Sequence, residues 1–377
     1  MYIVDLLEKN AYGLPANQYC MDDLNAFESG ARREVNSIWK SNLTVGKFCA
    51  EKDWNDRKVL FILGGGLGDI LFSTPVIREM KKRWPKVHIT FACFPRFHAA
   101  LEGNPDVDVI MAYPFPVADF GQFAAHITLE DYIDNEKPES RKKHAVDIIL
   151  DTVGLTCEDK ELRLELGYLE REKAVLYMMK ARPRIGIQLS ASAPVRSWPK
   201  KHVVEFSQKA VAAGFEIIWF GLPGESKLPQ DSRPQWLYDL TSCQPELTLR
   251  ESIAMISTCD LFIGPDSGLT HCAGALGVPT LALYGPFASR LRTAYASSIK
   301  AIDAQPYGAL RGKQPCNPCY YSVRPGKTMF PENGPCAEVG KCVVMESITP
   351  DEVLKKAKRF LRKRGERGTE DAELVET

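Results

Sequence analysis

Residues 261–284 read LFIGPDSGLTHCAGALGVPTLALY. Leu261, Phe262 and Ile263 form a short apolar run, Gly264 to Gly268 is a turn-forming loop, the residues through Ala273 and Leu276 have helical spacing, and Thr280 to Tyr284 is apolar again. A strand with consecutive apolar residues is buried on both faces, and strand, helix and strand in close succession form the unit of a parallel sheet. Small residues at the helix start leave its first N–H groups free and aligned with the positive end of the dipole. That combination is suited to a diphosphate.

The same grammar extends outward. Upstream lie a strand at Ile185 to Leu189, a helix at Lys200 to Ala213, a strand at Glu216 to Phe220, and a helix at Leu249 to Cys259. Thr248 followed three residues later by Glu251 opens that last helix with a capping box. An earlier set begins at Lys58 with the buried run Val59 to Leu63 and a glycine loop. It continues with a helix whose Ile77, Met80 and Trp84 share a face, a strand at Val87 to Phe91, a short helix near Phe97 to Leu101, and a strand at Val107 to Met111. The expected fold class is α/β, with two doubly wound parallel-sheet lobes. A length of 377 residues suits two domains of about 150 residues with extensions. The expected division is an extension at 1–54, a first lobe at 55–165, a linker region at 166–183 and a second lobe at 184–348. A helix at 349–364, opened by Thr349, Pro350 and Glu352, and a polar tail at 365–377 with the composition of disorder complete the chain.

Lys plus Arg equals Asp plus Glu, 48 against 48, so no global field favours nucleic acid. No apolar run approaches the roughly 18 residues that span a bilayer, and the start MYIVDLLEKNAYGL has acids where a secretory signal carries bases. Seven of the eleven cysteines are scattered singly, as expected of reduced thiols in a cytoplasmic protein.

The loop Gly64, Gly65, Gly66, Leu67, Gly68, Asp69 is not a dinucleotide fingerprint, because Asp69 and Leu71 occupy positions that motif reserves for glycine. No Gly-Lys-Ser/Thr follows, so it is not a P-loop either. Asp69 sits where open α/β sheets place ligands, a position suited to a general base and equally to a helix cap. In the second lobe Asp266 orders the turn or meets a ligand, and His271 reaches the ligand or the core. Arg196, in the polar loop SASAPVRSWP, can grip a phosphate or lie on the surface, and Glu225 can accept from a ribose hydroxyl or be solvated.

These residues resemble glycosyltransferase family 9, the heptosyltransferase-like family. The matches are GLGD with Thr74-Pro75 behind it, Arg196-Ser-Trp198-Pro199, the block from Gly264 to Pro286, and Cys316-Asn-Pro318-Cys319. The resemblance covers about residues 58–357 and implies a GT-B fold with a cleft between its lobes. It implies that Asp69 deprotonates an acceptor hydroxyl on a loop where Gly66 and Gly68 allow close approach. Arg196 stands where the family usually has lysine against the donor phosphates. Asp266 then contacts the donor sugar, Ser267 and Gly268 bind the diphosphate through backbone N–H, His271 shapes that pocket, and Glu225 holds the ribose. The implied activity is inverting transfer of a sugar, a heptose among the candidates, from a nucleotide diphosphate donor to a saccharide or glycolipid acceptor of a bacterial surface polysaccharide, with no catalytic metal. Two alternatives share the site: a sugar-nucleotide epimerase of GT-B architecture, and a catalytically silent nucleotide-sugar-binding protein.

Cys316, Cys319, Cys336 and Cys342, in segment 316–342, could close a structural zinc site; a labile disulfide or buried thiols are the alternatives. Lys355, Lys356, Lys358, Arg359, Arg362, Lys363 and Arg364 make the late helix basic. That face is either solvated or draws the chain to the anionic cytoplasmic face of the inner membrane, where a glycolipid acceptor resides.

Overall fold

The computed structural model describes residues 2–3, 46–129, 141–177, 181–227, 233–293, 295, 299–303, 309–310, 314–315, 319, 336, 340 and 342–373. The chain divides into two compact units, one of residues 1–134 with 145–165 and one of residues 135–144 with 166–377.

Unit 1 is built on the strands β1 (Gly46–Lys47), β2 (Lys58–Ile62), β3 (His88–Cys93), β4 (Val109–Ala112) and β5 (Ala125–Thr128). They pair in the order β1-β5-β2-β3-β4, all parallel. Val59 to Ile62 of β2 are buried, as the central strand of a doubly covered sheet requires. Helix α1 (Leu67–Arg83) follows β2, and helix α2 (Ala145–Val153) packs on α1. Pro75 lies inside α1 and cannot donate to the carbonyl of Leu71. The Thr74 hydroxyl, 2.7 Å away, donates to that carbonyl instead, which explains why a Thr-Pro pair is tolerated in mid-helix.

Unit 2 opens with helix α3 (Tyr168–Tyr177), in the stretch read from sequence as a linker. Its strands are β6 (Arg184–Gln188), β7 (Glu216–Phe220), β8 (Leu237–Asp239), β9 (Leu261–Pro265), β10 (Thr280–Tyr284) and β11 (Ile299–Asp303). The parallel order is β8-β7-β6-β9-β10-β11, so relative to the first strand of the unit the strands run 3-2-1-4-5-6, the dinucleotide-binding arrangement. Helices α4 (Lys200–Ala212), α5 (Leu249–Ile256) and α6 (Gly268–Ala275) connect them. The expected capping box of α5 is present: Thr248 Oγ1 accepts from Glu251 N and Glu251 returns to Thr248 N.

Two further expectations are corrected. The short helix near Phe97 is a 3-10 turn, Pro95–Ala100. Helix α7 (Pro350–Glu373) also runs past Arg364 into the residues read as a disordered tail. Extending a formed helix fixes one residue per added hydrogen bond, a far smaller cost than nucleation, and composition alone does not register that. The N-terminal part of α7 lays Val353 and Ala357 on the unit 2 core beside Phe206 and Val203 of α4, while Lys355, Lys356, Lys358, Arg359 and Arg362 stay exposed.

At the amino ends of β6 and β7 a fully buried ion pair ties Arg184 Nε to Glu216 at 2.6 Å, and Arg184 Nη1 donates to Thr258 Oγ1. Removing one partner strands the other charge in the core. Glu216→Ala should therefore lower unfolding free energy in urea by about 3–5 kcal/mol; a loss below about 1 kcal/mol would show that the pair behaves as a surface bridge.

Candidate functional site

The reversal of strand order in unit 2 falls between β6 and β9. Ligands of open parallel sheets bind outside the carboxyl ends of the strands at such a reversal. The polar residues singled out from sequence in this lobe lie on that rim. Arg196 ends a 3-10 turn after β6, Glu225 follows β7, and Asp266 and Ser267 join β9 to α6.

The junction of β9 and α6 depends on glycine. A Cβ on Gly264 would sit 2.2 Å from Thr270 Oγ1 and 3.3 Å from Gln188 Cβ. Its absence lets Thr270 donate to Pro265 O at 2.7 Å and brings the first turn of α6 against β6. Gln188, buried at the end of β6, donates from Nε2 to Ser267 Oγ at 2.9 Å. Ser267 is the N-cap residue, yet its side chain makes no capping bond. Thr270 N is bonded to Ser267 O at 3.1 Å; with the Ser267 hydroxyl drawn to Gln188, the N–H groups ahead of Thr270 are not taken by the cap side chain, and those are the donors a helix leaves for an anion.

Asp266 is buried, with 7% of its side chain exposed. Arg196 Nη1 donates to its backbone carbonyl at 2.9 Å and lies 3.6 Å from its Oδ2, while His271 Nε2 is 3.4 Å from Oδ1. Burial pushes the Asp266 carboxyl up, but the His271 hydrogen bond and the charges of Arg196, His271 and Arg292 outweigh it, and the net shift is below the usual carboxylate range. Arg196 is fixed from its other side by donating to Ser192 Oγ at 2.7 Å. Its loop is pinned by Ser197 Oγ accepting from Ala191 N and by Trp198 Nε1 donating to Ile348 O. Glu225 turns back on its own loop, its Oε2 accepting from Leu222 N at 2.7 Å.

In unit 1 the strand order reverses between β2 and β5, and Asp69 stands in the first turn of α1, directly after β2. Its Oδ2 accepts from Gly66 N at 3.0 Å. That is the bond a helix cap makes; carboxylate oxygens accept several bonds each, so capping does not preclude a second role. Of the late cysteines, Cys316 lies outside the described residues, Cys319 is exposed, and Cys336 and Cys342 are buried. A hydrogen bond with Cys336, together with burial, pushes the Cys342 thiol up. Among the described residues no group of three or more His, Cys, Asp or Glu is arranged to hold a metal ion, and no helix is long and apolar enough to cross a membrane.

Two members of this rim escape sequence reading. Gln188 looks like the polar end of an apolar strand, and its partner is 79 residues away. Asp239, in a three-residue strand, carries no motif.

The model of glycosyltransferase family 9 (heptosyltransferase) matches residues 122–320, more than half of the 377-residue chain. The chain belongs to glycosyltransferase family 9. Lipopolysaccharide heptosyltransferase 2 of Salmonella typhimurium is 28% identical over 134 residues, 32% of this chain and 38% of that protein. Lipooligosaccharide heptosyltransferase 2 of Haemophilus influenzae is 28% identical over 137 residues, 35% of this chain and 39% of that protein. The chain thus spans well under half the length of these curated relatives. Among solved structures, E. coli ADP-heptose lps heptosyltransferase II superposes with a TM-score of 0.61 at 16% identity, over 82% of this chain and 99% of that one. The shared fold is GT-B, and the family 9 match spans β9, α6 and β10, which carry Asp266, Ser267, Gly268 and His271.

Gly264→Ala should cost about 1–3 kcal/mol of stability by overpacking against Thr270, measured by urea denaturation. Unchanged stability would mean that the β9–α6 junction has slack the 2.2 Å approach excludes.

Proposed function

We propose that this family 9 chain transfers a sugar, a heptose by analogy with its relatives, from a nucleotide diphosphate donor to a saccharide or glycolipid acceptor of a bacterial surface polysaccharide, with inversion at the anomeric carbon. The observation that supports this most directly is the β6–β9 rim. There a helix start with a disengaged cap, a fixed guanidinium and a buried ionised carboxylate lie side by side.

Attack at an anomeric carbon passes through an oxocarbenium-like state while negative charge grows on the departing diphosphate. Arg196 and the N–H groups of Ser267 and Gly268 stabilise that charge, and because they are held before the reaction they cost no reorganisation during it. Asp266, ionised in the pocket, orients sugar hydroxyls, and His271 keeps the carboxylate in place. Glu225 accepts from the ribose. Asp69 takes the proton from the acceptor hydroxyl as it attacks; a single displacement of this kind inverts configuration. The exposed basic face of α7 supports peripheral contact with anionic lipid, where a glycolipid acceptor is presented.

The test is to incubate the protein with a panel of nucleotide sugars and a lipopolysaccharide-like acceptor and follow release of nucleoside diphosphate. Acceptor-dependent release is expected; saturable binding with no release or donor conversion would instead favour a silent binder, and donor conversion without acceptor an epimerase. Asp69→Asn should retain donor affinity and lose transfer by about 10²–10⁴-fold, and undiminished transfer would leave Asp69 as a helix cap alone. Arg196→Ala should weaken donor binding by about tenfold to a hundredfold, as loss of a charged hydrogen-bond donor does; unchanged affinity and turnover would remove it from the phosphate site.

A further inference from the structure

Asp239 is the last residue of β8, and its side chain is wholly buried. A carboxylate in that position loses its hydration and is tolerated only if hydrogen bonds replace it. Here five donors do so. Oδ1 accepts from Thr241 N at 3.0 Å and Thr241 Oγ1 at 2.7 Å. Oδ2 accepts from Ser226 Oγ, from Ser242 Oγ at 2.7 Å and from Arg233 Nη2 at 2.9 Å. Burial raises the Asp239 carboxyl, the bonds from Ser226, Ser242 and Thr241 and the charge of Arg233 lower it, and the net shift is downward, so the group stays ionised at neutral pH.

Four of the five donors come from loops at the carboxyl-end rim of unit 2, and the fifth, Arg233, from the connection that leads into β8. Ser226 is the neighbour of Glu225 in the loop after β7; Thr241 and Ser242 follow β8; Arg233 precedes it. The same loops are cross-tied by Gly224 N donating to Thr241 O at 2.7 Å and by Lys200 Nζ donating to Ser226 O. Asp239 takes no part in the apolar cluster that closes the core of this unit. A buried ionised group with several hydroxyl partners adds little stability over an apolar replacement. What it does is give the loops one arrangement, since hydroxyls converging on a single oxygen pair leave few alternatives of equal energy. A cap residue acting alone could not hold Glu225: its own bond, to Leu222 N, is local to the loop and would move with it.

We infer that Asp239 is a positioning residue of the donor site, acting through Ser226 to hold Glu225 where it meets the nucleoside of the donor. This rests on the nucleotide-sugar reading above and adds to it a residue that meets no ligand itself but sets the loop that carries Glu225.

The experiment is a double-mutant cycle on the full chain, with nucleoside diphosphates (ADP, GDP, UDP, CDP) as probes and calorimetry as readout. Asp239→Asn keeps the side chain's shape but turns one acceptor oxygen into a donor that faces either Thr241 or the set Ser226, Ser242 and Arg233, each of which includes an N–H that can only donate. It should weaken the nucleoside diphosphate that the unaltered protein binds by about tenfold. The same substitution made on Glu225→Ala should weaken binding by less than about twofold more, whereas on Arg196→Ala it should cost its full tenfold, because coupling is confined to residues that share a structural unit. A purely structural role would lower affinity by the same factor in all three backgrounds, and that result, or no effect of Glu225→Ala alone, overturns the inference. Should Asp239→Asn fail to fold, Ser226→Ala removes a single donor and is held to the same pattern. No nucleoside diphosphate binding by the unaltered protein would instead overturn the donor reading itself, and the inference with it.

Discussion

The six strands of unit 2 are parallel, so their carboxyl ends all open on one rim, and their order reverses between β6 and β9. At that reversal the outgoing connections leave toward opposite sides and a crevice stays uncovered. Much of the chemistry in this unit follows from the constraint. The strands themselves must be apolar because helices cover both faces, so polar function is pushed to the residues just beyond them. Arg196, Glu225, Asp239 and Asp266 stand at or after the ends of β6, β7, β8 and β9 in turn.

Burying carboxylates on such a rim needs compensation, and two solutions are used. Asp266 is offset by a histidine and by arginine charge, an arrangement that suits the ligand contact proposed for it. Asp239 is offset mostly by hydroxyls and is fully enclosed, an arrangement that leaves nothing for a ligand and fixes the surrounding backbone instead. The same residue type is thus proposed for contact in one place and for positioning in the other, on the ground of its partners.

The parts legible in the sequence are those with a local cause. Val59 to Ile62, Ile185, Ile187 and Leu261 to Ile263 are apolar in succession because their strands are covered on both faces, and GPDSG announces a turn into a helix because glycine and small residues are required where backbone approaches backbone. The α/β class and its two lobes follow from such runs; the GT-B fold and the family follow from the resemblance of the Gly264–Pro286 block and the shorter motifs to glycosyltransferase family 9. Strands β5 and β8 escape notice because Ala-His-Ile-Thr and Leu-Tyr-Asp are too short for a run or an alternation to stand out; pairing with β2 and β7 makes them strands. Helix α3 reads as a charged linker because its place is settled by tertiary contacts such as the Glu170–Arg250 ion pair, which spans 80 residues. Gln188 and Asp239 are likewise defined by partners distant in sequence or spread over several loops, and no local pattern marks them. Asp69 stands at a helix start, as its place after the glycine loop implies, and its bond to Gly66 N is that of a cap.

The central claim is that the first turn of α6, disengaged from its own cap by Gln188, receives the diphosphate of the donor. The most direct measurement is a crystal structure of the protein with the nucleoside diphosphate it binds. Phosphate oxygens within hydrogen-bonding distance of the N–H groups of Ser267 and Gly268 and of the Arg196 guanidinium are expected, about 2.7–3.2 Å between heavy atoms. A nucleoside diphosphate bound elsewhere on the chain, with the α6 start untouched, would contradict it.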